Sequence, residues 1–242
     1  MKHFLLSITF SFLILFIYAQ DKEAEPNITV KWAPSGLFVG NFAVQGEYGF
    51  GEKSSLTAKI GVPVNKKYSR RFNDRDVDLN MKAFSFMAGY RLYLSKQKLK
   101  GLYFEPYFKY VHHMTDGLGE TTLDSEPVTL DFTNTYNAFG IGAQLGAQFI
   151  VAKRLVIDLF FLGPELNSAT NNFRAVDPEG SESWNNIEAG QAAADIKDFL
   201  NQFPFIKNRV DVIVDKENKA VNADFKGLVG GLRFGVSFGI TF

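Results

Sequence analysis

Cysteine is absent, histidine occurs three times in 242 residues, and Lys plus Arg equal Asp plus Glu at 26 each. Without cysteine there is no disulfide framework and no thiolate metal or redox site. The balanced charge excludes a strongly basic nucleic-acid binder and an acidic tail protein. Beyond the N-terminus no apolar run approaches the ~20 residues of a membrane-crossing helix, so any membrane role falls to strands. Long repeats and low-complexity tracts are missing too. Gly-x-Gly spacings such as Gly140-x-Gly142 lie inside strand patterns and do not form a phosphate loop.

What is present begins with a leader. Met1–Lys2–His3 precedes an apolar stretch from Phe4 to Tyr18, broken only by Ser7, Thr9 and Ser11; Ala19 follows, then polar Gln20–Asp21–Lys22–Glu23. A basic start, a short apolar core and a small residue describe a secretory signal peptide. The expected division is a signal peptide over 1–19, cleaved after Ala19, and a single domain over 20–242.

Eight segments alternate between two residue classes with period two, the strand signature: Ile28–Ala33, Leu37–Phe50, Ser54–Val64, Leu79–Leu94, Gly101–Met114, Asp131–Ile150, Arg154–Leu166 and Phe225–Phe242. In the last, Leu228, Leu232, Phe234, Val236, Phe238 and Ile240 share one face, and Gly231, Arg233, Gly235, Ser237 and Gly239 share the other. The connections sort by length. Pro34–Gly36, Gly51–Lys53, Ser95–Lys100 and Val151–Lys153 are short; Asn65–Asp78, Thr115–Leu130 and Asn167–Asp224 are long. With the mature N-terminus in the periplasm, every later short turn falls on the periplasmic side and every long loop outside. That is the pattern of outer-membrane barrels, whose strand number is even.

The predicted fold is therefore all-β: an eight-stranded antiparallel transmembrane barrel with a helix-containing extracellular insertion. Within the long outer loop 167–224, Ser183 is the candidate cap of a helix over about Trp184–Gln202. Its spaced apolar residues are Ile187, Ala194, Ile196, Phe199, Leu200 and Phe203, and Pro204 would end it. Arg209–Val214 and Lys219–Phe225 are expected to form a hairpin. Asn65–Asp78 is charge-rich and is expected to be a solvated loop, with phosphate contacts to lipopolysaccharide as the alternative.

Three features place lipid on the apolar face. The polar face is rich in glycine (Gly61, Gly89, Gly140, Gly142, Gly146), which suits a narrow filled interior and not the Lys- and Glu-dense surface of a soluble barrel. The apolar face is nearly free of charge, Lys82 near a strand end being the exception. Trp32, Tyr48, Phe50, Tyr90, Phe104, Tyr110 and Phe242 gather toward strand ends, as interfacial belts do. A chain ending on Phe242 after an amphipathic strand resembles the signal read by the barrel-assembly machinery.

Lys31–Trp32–Ala33–Pro34–Ser35–Gly36–Leu37, Gly40–Asn41–Phe42 and Gly46–Glu47–Tyr48 resemble the opening of a Gram-negative outer-membrane barrel family of unknown function. So do Gly89–Tyr90–Arg91–Leu92–Tyr93–Leu94 and Lys100–Gly101–Leu102–Tyr103–Phe104–Glu105–Pro106–Tyr107. The resemblance implies fold and location in the outer membrane, and no functional residues.

By this alternation the lumen receives Lys31, Glu47, Lys59, Arg91, Glu105, Lys109, Arg154, Asp158 and Arg233, with Gln45, Gln144, Gln148, Tyr93 and Tyr107. Both signs are present, and buried charges need partners, so a salt-bridged plug is expected in preference to a narrow conduit. An enzyme would need a nucleophile or base with an orienting partner. His112 and His113 are adjacent in a strand and hence on opposite faces, which also rules them out as a metal pair. No catalytic, cofactor-binding or metal residue is assigned, and no cofactor. The expected partners are outer-membrane lipid, lipopolysaccharide and the barrel-assembly machinery, with no nucleic acid and an unknown extracellular ligand. The expected role is a plugged, non-enzymatic barrel for surface display or binding; the alternatives are a narrow pore and, less favoured, a lipid A-modifying acyl hydrolase or transferase.

Overall fold

The computed structural model describes residues 27–72, 75–179, 183–201 and 209–242. The expected leader 1–19 lies outside them, as do Gln202, Phe203 and Pro204. Ten strands are arranged in chain order: β1 Ile28–Ala33, β2 Asn41–Gly49, β3 Ser54–Pro63, β4 Lys66–Phe72, β5 Arg75–Tyr93, β6 Gly101–Leu123, β7 Glu126–Val151, β8 Leu155–Val176, β9 Asp211–Asp215 and β10 Ala220–Thr241. Helix α1, Asn186–Asn201, lies between β8 and β9.

Eight of these strands close a ring in the order β1-β2-β3-β5-β6-β7-β8-β10, and β10 pairs back with β1. Every pairing is antiparallel. Registered partners run from Thr29 through Glu47, Thr57, Gly89, Tyr107, Gly142 and Glu165 to Gly231, and return to the first strand ten residues further along. Such a stagger goes with a strand tilt of about 40°. The chain ends meet at the end that carries the short turns: the Phe242 N–H donates to the Ile28 carbonyl at 2.9 Å, and the Asn27 N–H donates to the Phe242 carbonyl at 2.9 Å. The opposite end carries α1 and is called the cap end below.

The strands outlast the expected loops. Asn65–Asp78 is a hairpin of β4 on β5 and not an open loop. Thr115–Leu130 is also strand: β6 and β7 pair without a break up to Leu123 opposite Glu126. Asp124 and Ser125, at φ 47 and 70, make the two-residue turn, a geometry that matches strand twist. Of the outer insertion, 167–176 continues β8, and the expected hairpin is present as β9 on β10. Helix α1 is capped by Asn185 and not by Ser183. The Asn185 Oδ1 accepts from the N–H groups of Ile187 at 2.8 Å and Glu188 at 3.0 Å, while Glu188 Oε2 accepts from the Asn185 N–H at 2.7 Å. Asn at the cap with Glu three residues on is a capping box.

The turn expected at Pro34–Gly36 is a 3-10 helix, Pro34–Val39, ended by Gly40 at φ 70. Gly40 accepts from the N–H groups of Val64 and Ala83, both at 2.9 Å, and a Cβ there would come within 2.8 Å of the Lys82 Cα. Glycine fits because that φ and that approach both exclude a side chain. β1 therefore ends early. Between Phe225 and Val236, β10 has no strand partner on the β1 side among the described residues, and the 3-10 helix packs beside it.

Alternation holds along each strand, but what it presents changes with height. Near the turns, β7 points Phe139, Ile141, Leu145 and Phe149 outward and Gly140, Gln144 and Gln148 inward. Toward the cap, β7 points Asp131, Thr133 and Asn137 outward and Leu130, Phe132 and Ala138 inward. β8 and β10 exchange their faces at the same height. One hydrogen-bonded row, Phe84, His112, Asn137, Thr170 and Lys226, marks the crossover. From it the apolar belt extends about ten residue steps, Phe84–Leu94 and Phe139–Phe149. At ~3.3 Å per residue and ~40° tilt, the belt is about 25 Å tall, the height of the apolar band on membrane barrels. Tyr48, Phe50, Tyr90, Phe104 and Phe242 sit at its turn end and Tyr110 at its cap end, whereas Trp32 lies further in, between Val44 and Phe238.

Above the crossover the inward face is a hydrophobic core. Phe132, Phe173, Phe225 and Leu130 pack with Ala189, Ala192, Ile196 and Leu200 of α1, and with Trp184. Ile187, expected on the packed stripe, is exposed instead.

Candidate functional site

The lumen has two storeys. The lower, toward the short turns, is sealed. Lys31 and Arg91 have side chains 0–1% exposed and share their acids. Lys31 Nζ donates to Glu47 Oε2, Asp158 Oδ2 and Gln148 Oε1, each at 2.7 Å. Arg91 clamps Glu105 Oε2 through Nε at 3.1 Å and a terminal nitrogen at 2.7 Å, and reaches Asp158 at 3.0 Å and Glu47 at 3.3 Å. Its guanidinium lies 3.6 Å from the Tyr103 ring centre.

Neutral donors saturate the acids. Ser55 and Tyr93 hydroxyls each donate to Glu47 Oε1 at 2.6 Å, Thr57 to Glu105 at 2.5 Å, and Tyr103 to Asp158 Oδ1 at 2.7 Å. Below them Leu99 closes the floor with Tyr93 and Tyr103. Its carbonyl accepts from Gln148 Nε2 at 2.8 Å. Gly89 leaves room for the Glu105 carboxylate, which would lie 2.7 Å from a Cβ there. A buried charge cluster is tolerable only when paired and hydrogen-bonded throughout, and these strands supply both.

The upper storey is looser. Lys109 pairs with Glu165 at 2.5 Å, and Tyr107 donates to Glu165 at 3.1 Å. Lys59 and Arg233 point inward and are half-buried. Arg233 contacts Met87 and lies over the rings of Tyr107 and Phe160, at 5.3 and 4.9 Å; Lys59 lies 5.9 Å from the Phe160 centre.

No protein-family model and no curated protein matches the chain. Among solved structures, it is similar to CarO of Acinetobacter baumannii: 10% identity, TM-score 0.44, 92% of this chain and 100% of that one covered. CarO2 of the same organism gives 11% identity and TM-score 0.43, with 90% and 98% covered.

Of the expected lumen residues, Arg154 is the exception: it sits exposed in the β7–β8 turn, where its carbonyl accepts from the Thr241 N–H at 2.9 Å. The other thirteen point inward. Phe160, two residues from Asp158 and on the same face, lines the lumen as a ring that a reading of polar residues alone passes over. Alternation missed Glu165 as the partner of Lys109. The cause is a β-bulge at Phe161 and Leu162, both exposed, where the register against β7 and β10 shifts. One extra residue reverses inside and outside beyond it. The hydroxyls of Ser55 and Thr57 were legible as inward positions, but nothing in the sequence pairs them with particular acids. His112 faces outward and bonds Asn137 at 2.6 Å; His113 faces inward, 3.4 Å from Thr115 Oγ1.

Proposed function

We propose that the chain crosses the outer membrane as a sealed barrel and holds a folded cap at the cell surface, for display or for binding and without catalysis. The observation that carries this is the lower storey, whose charges are fully buried and mutually paired, leaving no water path to the short-turn end. The belt height, the even ring and the meeting of the chain ends support the membrane placement. The exchange of faces at the Phe84–Lys226 row supports a boundary there between lipid and water. His112 and His113 lie on opposite faces, and each has a neutral hydrogen-bond partner, an arrangement without the carboxylate that orients a catalytic histidine.

On this reading 1–19 is removed on export, the exposed Lys66 and Lys67 of β4 are available to lipopolysaccharide phosphates, and the C-terminal strand through Phe242 is what the assembly machinery engages. Conductance of the refolded protein in planar bilayers tests the seal. The expected record is flat; discrete, voltage-stable steps would replace the sealed anchor with a conduit.

A further inference from the structure

Among the described residues, the upper storey contains two cations, Lys59 and Arg233, with no carboxylate in direct ion-pair contact. Facing the lumen are Lys31, Lys59, Arg91, Lys109 and Arg233 against Glu47, Glu105, Asp158 and Glu165, one positive charge in excess. Lys31, Arg91 and Lys109 all hold carboxylates; among the described residues Lys59 and Arg233 form no ion pair. Instead both lean on the ring of Phe160, which lies so close over Gly235 that a Cβ there would meet it at 2.7 Å. Two like charges at one ring, in a wall-enclosed space, raise each other's energy.

An unused hydrogen-bonding group lies beside Lys59. Gln45 is the registered neighbour of Lys59, is 3% exposed, and has no partner for its amide nitrogen. Buried donors of this kind are uncommon and call for an explanation.

We infer that this storey is a binding site for a monoanionic oxyanion, a carboxylate or phosphate group, held by Arg233 and Lys59 with Gln45 as a neutral donor. Arginine's planar fork matches two oxygens at once, and the lysine adds a point charge. One negative charge brings the lumen to neutrality. The group belongs either to a small soluble anion or to the head of an amphiphile.

The test uses the full folded chain in non-ionic detergent, with acetate, inorganic phosphate and dodecanoate as probes and chloride at matched ionic strength as control. Thermal unfolding and titration calorimetry are the readouts. Wild type should show saturable stabilisation by an oxyanion beyond that of chloride. The Lys59→Met, Arg233→Gln double variant should bind at least about tenfold more weakly, since each charged hydrogen bond is worth roughly one decade or more. Lys59→Arg should retain binding. Lys59→Met alone should unfold at a higher temperature than wild type in the absence of anion, because repulsion is relieved; this arm does not depend on ligand choice. Acetate or phosphate acting alone identifies a soluble anion, and dodecanoate acting alone identifies an amphiphile. No response beyond chloride in wild type, or an equal response in the double variant, overturns the site. A flat conductance record with no anion response would remove this inference and leave the sealed barrel intact.

Discussion

β6, β7, β8 and β10 each pass through two regions with opposite rules. In the belt, charges face inward and Phe, Leu and Ile face outward. In the cap, Phe132, Phe173 and Phe225 face inward to meet α1, while Asp131, Thr133, Asn172 and Asp224 face outward. The backbone is continuous through the change, and alternation itself never slips there. The surroundings differ. A strand face against acyl chains must be apolar, so the polar set turns in and has to satisfy itself. A strand face against water is free to be polar, so the apolar set turns in and needs a cover, which α1 provides. Stability therefore comes from charge pairing below and from hydrophobic burial above.

The largest expected effect is in the lower storey. Arg91→Met leaves Glu105 and Asp158 short of a partner, and removal of one member of a buried pair costs about 3–5 kcal/mol. The midpoint of urea unfolding in detergent should fall accordingly, and an unchanged midpoint would mean that the plug does not hold the barrel. Next is a matched pair on one strand. Ile141 is 68% exposed in the belt, and Ile141→Lys should cost about 2–4 kcal/mol on folding into bilayers. Thr133→Lys, eight residues along on the same face, should cost almost nothing. Equal costs would erase the boundary between the two regions.

In the cap, Asn185→Ala removes a side chain that accepts two helix N–H groups and should cost about 1 kcal/mol. It should be seen as faster hydrogen exchange in α1 with unchanged exchange in the belt; faster exchange in both would mean that the regions are energetically one. The smallest effect is expected at the tip of β6–β7. Ser125 holds φ 70, and Ser125→Gly should stabilise by a few tenths of a kcal/mol, since glycine takes that conformation without strain. A loss of stability would show that the turn geometry is otherwise.

Residues spaced by two set most of this architecture. Lys31, Glu47, Arg91, Glu105 and Asp158 were assignable to the lumen because inward and outward positions alternate along the stretches of strand that carry them. The even count and the short turns followed from where the alternating runs start and stop, and α1 and the β9–β10 hairpin followed from apolar spacing and a polar turn. The strand lengths were hidden. Apolarity reverses at Thr170, so the extension of β8 reads as a loop to anyone following the greasy face, while β7 was legible to Asp131 and hidden only over 126–130. The bulge at Phe161 and Leu162 was hidden as well, because its sign is a change of register between neighbours and not a residue type.

The order of polar and apolar side chains by itself determined a closed antiparallel barrel with its charges inside, because each strand has only two faces and lipid tolerates one of them. Which charge meets which was left to the tertiary structure. Strand stagger decides that Lys31 and Arg91 converge on shared acids while Lys59 and Arg233, equally inward, reach none. A stagger of ten residues around the ring is a property of the closed sheet, and no segment read alone contains it.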